Sequence, residues 1–154
     1  MPVEILKKFL DKNHVKYVRI SHSPAYTAQE IAASAHVPGR DMAKTVMVKL
    51  DGTMAMVVLP ASRHVDFPLL RAATGAREAE LASEGEFRDM FPECELGAMP
   101  PFGNLYDMAV FITASLMDEE EMAFNAGSHT ELIRMPTTEF KRLVKPEVMR
   151  FSAA

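Results

Sequence analysis

The sequence predicts an α+β domain with a largely antiparallel or mixed sheet, and three observations carry that reading. Apolar residues recur at helical spacing at the start of the chain, an Asp-Gly dipeptide joins two strand-like runs, and later strands and helices mix without a regular strand–helix–strand beat. A chain of 154 residues suits one domain, taken over residues 1–154, with a substantial core. Hydrophobic residues at 48% and charged residues at 25% are ordinary globular usage, which sets disorder aside.

The elements follow in order. Val3, Leu6, Phe9 and Leu10 share one helical face, with lysines on the other, so a first amphipathic helix runs to about Asn13. Residues 17–20 form a short strand. Thr27 to Glu30 fit a capping box, in which a hydroxyl and a carboxylate satisfy free amides at a helix start, and Pro38-Gly39 ends that helix. Residues 45–50 and 53–59 flank Asp51-Gly52, a dipeptide that tolerates the positive φ angles of a type I′ turn, so they form a β-hairpin. Its second strand is apolar almost throughout and should be buried on both faces. Residues 66–73 read as a helix with Phe67, Leu70 and Ala72 or Ala73 on one side. Ser83 to Glu86 form a second capping box ahead of Phe87, Met90 and Phe91. Strands follow at 108–113, 122–125 and 131–135, and Pro136-Thr137 opens a last helix through Phe140, Leu143 and Val144.

Several function classes drop out. No apolar run approaches the ~18 residues of a membrane span, and the first residues lack the charged-then-apolar layout of a secretory signal. The single cysteine, Cys94, excludes an internal disulfide and suits a reducing cytosol; its acidic neighbours raise a thiol pKa, which favours packing over nucleophilic duty. A net charge of -4 argues against a protein that coats nucleic acid, although one that grips only an RNA end needs no large basic field. The basic clusters at residues 7–19 and 141–150 are also explained as solvated helix faces. There is no Gly-x-Ser-x-Gly elbow, phosphate loop or His-Glu-x-x-His, and the five histidines show no metal-ligand spacing. No metal and no cofactor are expected.

Three segments could carry chemistry. Lys44 stands where a loop feeds the first hairpin strand, a position equally open to a plain solvated lysine. In Gly97-Ala98-Met99-Pro100-Pro101-Phe102-Gly103-Asn104, glycines allow close backbone approach and prolines stiffen the loop; a simple connection would look the same. Asn125-Ala126-Gly127-Ser128-His129 is a polar cluster between apolar strands, which is also what a polar hairpin turn looks like. Ser128 and His129 do not form a catalytic pair by adjacency, because strand neighbours point to opposite faces.

Taken in order, these segments and His22-Ser23-Pro24-Ala25-Tyr26-Thr27-Ala28-Gln29-Glu30 resemble the YbaK/aminoacyl-tRNA synthetase-associated domain family over about residues 20–145. The resemblance implies a compact α+β domain with a curved mixed, largely antiparallel sheet flanked by helices. It also implies an aminoacyl-tRNA deacylase that removes a mischarged small amino acid, such as alanine on proline tRNA. Lys44 and His129 are the implied catalytic residues; His22, Gly97, Met99, Pro100, Phe102, Gly103, Gly127 and Ser128 are the implied substrate-binding residues. The expected partner is the 3′ end of a mischarged tRNA, with an aminoacyl-tRNA synthetase as a second candidate and no membrane. Ser128-His129 departs from the Lys-Arg pair of the cysteine-specific branch, and Thr45 from the Asn common after the lysine in the alanine-clearing branch.

Without an evident nucleophile, the expected chemistry is direct attack by water, with fixed donors on the developing oxyanion drawn from the amides of the 97–103 loop or the Gly127 turn. Lys44 would act as an ammonium, His129 would orient the substrate, and Met99, Pro100 and Phe102 would wall a small pocket that selects by size. Two other readings stay open: a non-catalytic module that binds aminoacyl-tRNA or a synthetase, and a hydrolase of small acyl esters.

Overall fold

The computed structural model describes residues 3–22 and 37–153. In chain order its elements are α1 (Glu4–Lys12), β1 (Val18–Ser21), β2 (Ala43–Leu50), β3 (Thr53–Pro60), β4 (His64–Val65), α2 (Phe67–Thr74), β5 (Ala79–Leu81), α3 (Glu84–Phe87), β6 (Ala109–Thr113), α4 (Ala114–Met117), β7 (Glu121–Ser128), β8 (Glu131–Pro136), α5 (Thr137–Val144), β9 (Glu147–Met149) and β10 (Ser152–Ala153). The capping box expected at Thr27 to Glu30 lies outside the described residues.

The sheet is built as two ladders. Five strands run in the order β5-β2-β3-β6-β9, antiparallel from β5 to β3 and parallel from β3 to β9; three more run antiparallel as β1-β8-β7. A parallel bridge between Met42 and Ala123 joins the two. A two-strand ribbon, β4 with β10, sits apart.

The expected hairpin forms around Asp51 and Gly52, whose φ angles of 50° and 83° are both positive, as the turn demands. β3 then runs through the middle of the five-stranded ladder, and Ala55 to Leu59 are buried on both faces. Met56 and Val58 enter the main core; Ala55, Val57 and Leu59 pack with Leu70 of α2 and Phe151 on the opposite face. Each fully buried aliphatic of this kind contributes roughly 1.5–3 kcal/mol. The main core fills the space between the two ladders and is closed by Leu6 and Leu10 of α1 and Phe140 of α5.

Asp66 caps α2 by accepting the Leu69 amide at 3.0 Å, and Gly75 ends it at φ 78°. Its apolar face is narrower than the sequence suggests: Leu70 is fully buried, but Ala72 and Ala73 are exposed. An eight-residue helix meets the sheet through about one turn. Strands β4, β5, β9 and β10, two or three residues each, are too short to show a period in the sequence. Among the described residues, no helix is long and apolar enough to cross a membrane.

Candidate active site

The second hairpin, β7–β8, is irregular where the first is regular. Its register shifts between Asn125 and Ser128, and Gly127 sits in the bulge at φ 104°. A Cβ there would lie 3.0 Å from Val3, so the turn needs glycine for conformation and for space. Gly127 is tied on both sides to the loop before residue 100: its carbonyl accepts the Glu95 amide at 2.8 Å, and its own amide donates to Ala98 O at 3.0 Å. That amide is committed to the fold and is not available for the oxyanion role expected of it.

His129, only 9% exposed, turns toward the same loop. Its Nε2 lies 2.8 Å from Leu96 O, and since a carbonyl only accepts, this nitrogen holds the proton. Its Cε1 lies 3.6 Å from where a Cβ on Gly97 would be, and Gly97 adopts φ 85°. His22 donates its amide to Thr130 O at 2.9 Å, extending the β1–β8 ladder, and Ser128 Oγ lies 3.3 Å from Thr130 Oγ1. The structure therefore brings together His22, Gly97, Gly127, Ser128 and His129 around one turn.

The 97–103 loop serves the interior more than a surface. Residues 98–103 are all buried. Phe102 is fully buried, with ring centroids 5.2 Å from Phe140, 5.4 Å from Phe124 and 6.1 Å from Phe9. A Cβ on Gly103 would come within 2.6 Å of Val110 and 2.7 Å of Met108 O. Phe102 and Gly103 thus pack the core, and Pro100 stiffens the approach to it. Met99 lines an apolar cavity of about 530 Å³ with Phe87, Phe91, Cys94 and Leu96, next to the carbonyl that holds His129. Burial pushes the Cys94 thiol pKa up, with Glu93 adding to the shift, in keeping with an unreactive packing residue.

Lys44 has different surroundings. It is half-buried on β2 and lines a cavity of about 270 Å³ with Val46, His64, Val65, Phe67 and Leu81. Burial lowers its pKa below the usual lysine value, and among the described residues it makes no ion pair. The bridge from Met42 to Ala123 relates this lysine to the second hairpin. The two strands run parallel there, so two residues on from Met42 is Lys44, and two on from Ala123 is Asn125. Asn125 Oδ1 is buried without a hydrogen-bond partner among the described residues.

Several polar groups near this junction escaped the sequence reading. Asn125 lay inside a segment noted for its polarity, but nothing local marked it above its neighbours. Asp41, 8% exposed, meets Arg134 at 3.5 Å, and Arg134 also reaches Glu121 at 3.4 Å; these residues lie far apart in sequence. His64 carries no local signal at all. Among the described residues, no group of three His, Cys, Asp or Glu is placed to hold a metal ion.

The known proteins that this chain resembles form a consistent set. The family model described as aminoacyl-tRNA editing domain matches residues 22–143. The Multifunctional Ser/Thr-tRNA deacylase ProXp-y of Escherichia coli (strain K12) is 30% identical over 115 residues, 71% of this chain and 68% of that protein. Among solved structures, the hypothetical protein APE2540 superposes with a TM-score of 0.86 at 18% identity, covering 97% of this chain and 100% of that one. A candidate trans-editing enzyme for prolyl tRNA synthetase superposes with a TM-score of 0.81 at 18% identity, covering 97% and 96%. At such identities the superpositions speak for the fold alone, whereas the family match spans both hairpins, the 97–103 loop and the bridge between the ladders. The chain belongs to the aminoacyl-tRNA editing domain family.

Proposed function

We propose that this editing domain removes a small, wrongly attached amino acid, with serine, threonine and alanine as first candidates, from the 3′ end of a tRNA that it meets in trans in the cytoplasm. The chain is an aminoacyl-tRNA deacylase. The choice of serine and threonine leans on the name of the Escherichia coli relative, and alanine on the resemblance to the prolyl-editing branch. Delivery of the tRNA by a synthetase is part of the same proposal.

In this reading water adds to the ester carbonyl carbon, the bond to the ribose oxygen breaks, and that oxygen takes up a proton as the free amino acid leaves. Lys44, as an ammonium, stabilises the oxyanion or the adjacent phosphate. Asn125 Oδ1 accepts a hydrogen bond from the substrate's amino group, and His129 holds the 96–97 segment that borders the side-chain pocket. The single observation that carries the reading is the parallel bridge between Met42 and Ala123: two residues on along each strand stand Lys44, half-buried and without an ion pair among the described residues, and Asn125, whose buried Oδ1 has no hydrogen-bond partner among them.

The test is a deacylation panel with alanine, serine, threonine, cysteine and proline on their mischarged and cognate tRNAs. The wild-type protein should release one or more of the small amino acids and spare proline on proline tRNA. Lys44→Ala should slow release about 100-fold, the scale for one oxyanion donor. The pH profile separates the roles of the amine. An ammonium predicts a rate that falls as pH rises through a pKa below the usual lysine value of 10.5, whereas a neutral base predicts a rise over the same window. Mobility shift without amino acid release would leave only the binding-module reading, and turnover of simple esters without regard to tRNA would favour the ester hydrolase.

A further inference from the structure

We infer that a further, polar pocket of about 310 Å³, lined by Arg63, Thr113, Ser115, Asp118, Arg150 and Ser152, binds a phosphodiester of the single-stranded RNA leading to the aminoacylated end. The inference rests on the deacylase reading and adds the site that holds the nucleic acid. The pocket is assembled by topology. Strands β3, β6 and β9 are parallel, and the pocket residues lie just beyond their carboxyl ends: Arg63 follows β3, Thr113 to Asp118 end and follow β6, and Arg150 follows β9. The carboxyl edge of parallel strands is where open sheets with such connections collect ligands.

The charge on this pocket is available. Among the described residues, neither Arg63 nor Arg150 is in an ion pair, whereas Arg40, Arg134 and Arg142 all have carboxylate partners. Two free guanidiniums with the hydroxyls of Thr113 and Ser152 match the acceptor-rich surface of a phosphodiester, and Ser115 Oγ, 3.3 Å from Thr113 Oγ1, donates to that threonine. Asp118 adds a carboxylate that would repel a lone inorganic anion but can accept a hydrogen bond from a ribose 2′-hydroxyl, which favours RNA over free phosphate.

The pocket is also at the right distance from the proposed chemistry. Lys44 pairs with Leu59 near the carboxyl end of β3, so the lysine lies at the same edge of the sheet. Two strand spacings of ~4.8 Å separate β2 from β6, a reach of about two or three stacked nucleotides at ~3.4 Å each. Arg63 directly precedes His64, which lines the lysine's own cavity. A strand whose terminal ester lies by Lys44 would carry its preceding phosphates into the arginine pocket.

The experiment compares two substrates bearing the same amino acid, mischarged tRNA and the 3′-aminoacyl adenosine that lacks upstream phosphates. The double variant Arg63→Gln/Arg150→Gln should raise KM for the tRNA at least about tenfold, as expected when charge-assisted hydrogen bonds are lost. The penalty should shrink on the adenosine ester, so the KM advantage of the tRNA over the bare ester falls. The log–log dependence of tRNA binding on salt should also flatten by about one unit per lost phosphate contact. An unchanged KM ratio and salt slope would overturn the pocket, and so would an equal loss on both substrates, which would mark a structural effect. Failure of the wild-type protein to release amino acid from either substrate would instead overturn the deacylase reading.

Discussion

The two hairpins of this domain share a topology and differ in what their turns are used for. The β2–β3 turn is two residues long, in register to its tip, and open around Gly52, where an added Cβ would meet nothing within 4 Å. Its Asp51 carboxylate accepts the Arg77 amide at 3.0 Å and the Glu78 amide at 2.8 Å, pinning the start of β5. The β7–β8 turn breaks register, buries its glycine against Val3 and hands its amide, carbonyl and histidine to a loop some thirty residues away. One turn shapes the sheet, and the other spends its irregularity on bringing polar groups from two segments together. A bulge in a ladder thus gathers polar groups here in a way that the well-formed turn does not.

The sharpest way to break this comparison is to put the same methyl group on both glycines. Gly127→Ala meets a positive φ and a crowded site together and should cost about 2–4 kcal/mol in urea unfolding, with deacylation falling as His129 loses its seat. Gly52→Ala meets strain alone and should cost about 1 kcal/mol with activity retained. Equal losses would show that the second turn is no more committed than the first. At the regular hairpin, Asp51→Ala removes the acceptor for two exposed amides and should cost about 1 kcal/mol, read as a lower urea midpoint at unchanged slope.

The smallest effect expected is electrostatic. Lys49, on the regular hairpin, holds Glu86 at 2.6 Å and helps lower its pKa from 4.5 to about 2. Because the folded-state value is depressed, the contribution is present above pH 4.5 and is lost as pH falls toward 2. The stability gap between wild type and Glu86→Gln should therefore be small at neutral pH and close across that acidic window. A gap that persists at pH 2 would assign the effect to packing.

What was legible in the sequence was local. Leu6 and Leu10 repeat at helical spacing, Asp51-Gly52 names its own turn, and Asp66 and Ser83 mark helix starts, so these elements follow from near neighbours. The order of the motifs carried the family likeness, and the polar turn at 125–129 was visible as a cluster. The rest depends on contacts between distant segments. His129 meets a carbonyl 33 residues earlier, and Asp41 meets a guanidinium 93 residues later, with no spacing rule to announce either. Phe102 was expected at a pocket wall as part of a loop stiffened by prolines; the loop turns inward, and the ring sits in an aromatic cluster with Phe9, Phe124 and Phe140. Arg63 stood in a stretch with no motif, Arg150 belonged to a basic cluster also explained as a solvated helix face, and only parallel pairing of β3, β6 and β9 brings the two to one edge.

That edge depends on the last strands. Phe151 is fully buried on the face of the five-stranded ladder opposite the main core, its carbonyl accepts the Asp66 amide at 2.7 Å, and β10 zips onto β4 beside it. During synthesis, the helix capped by Asp66 waits for a plug that is made much later along the chain. The nascent protein must carry an uncovered apolar sheet face until residue 151 has emerged, and its window of vulnerability to aggregation closes only when Phe151 docks.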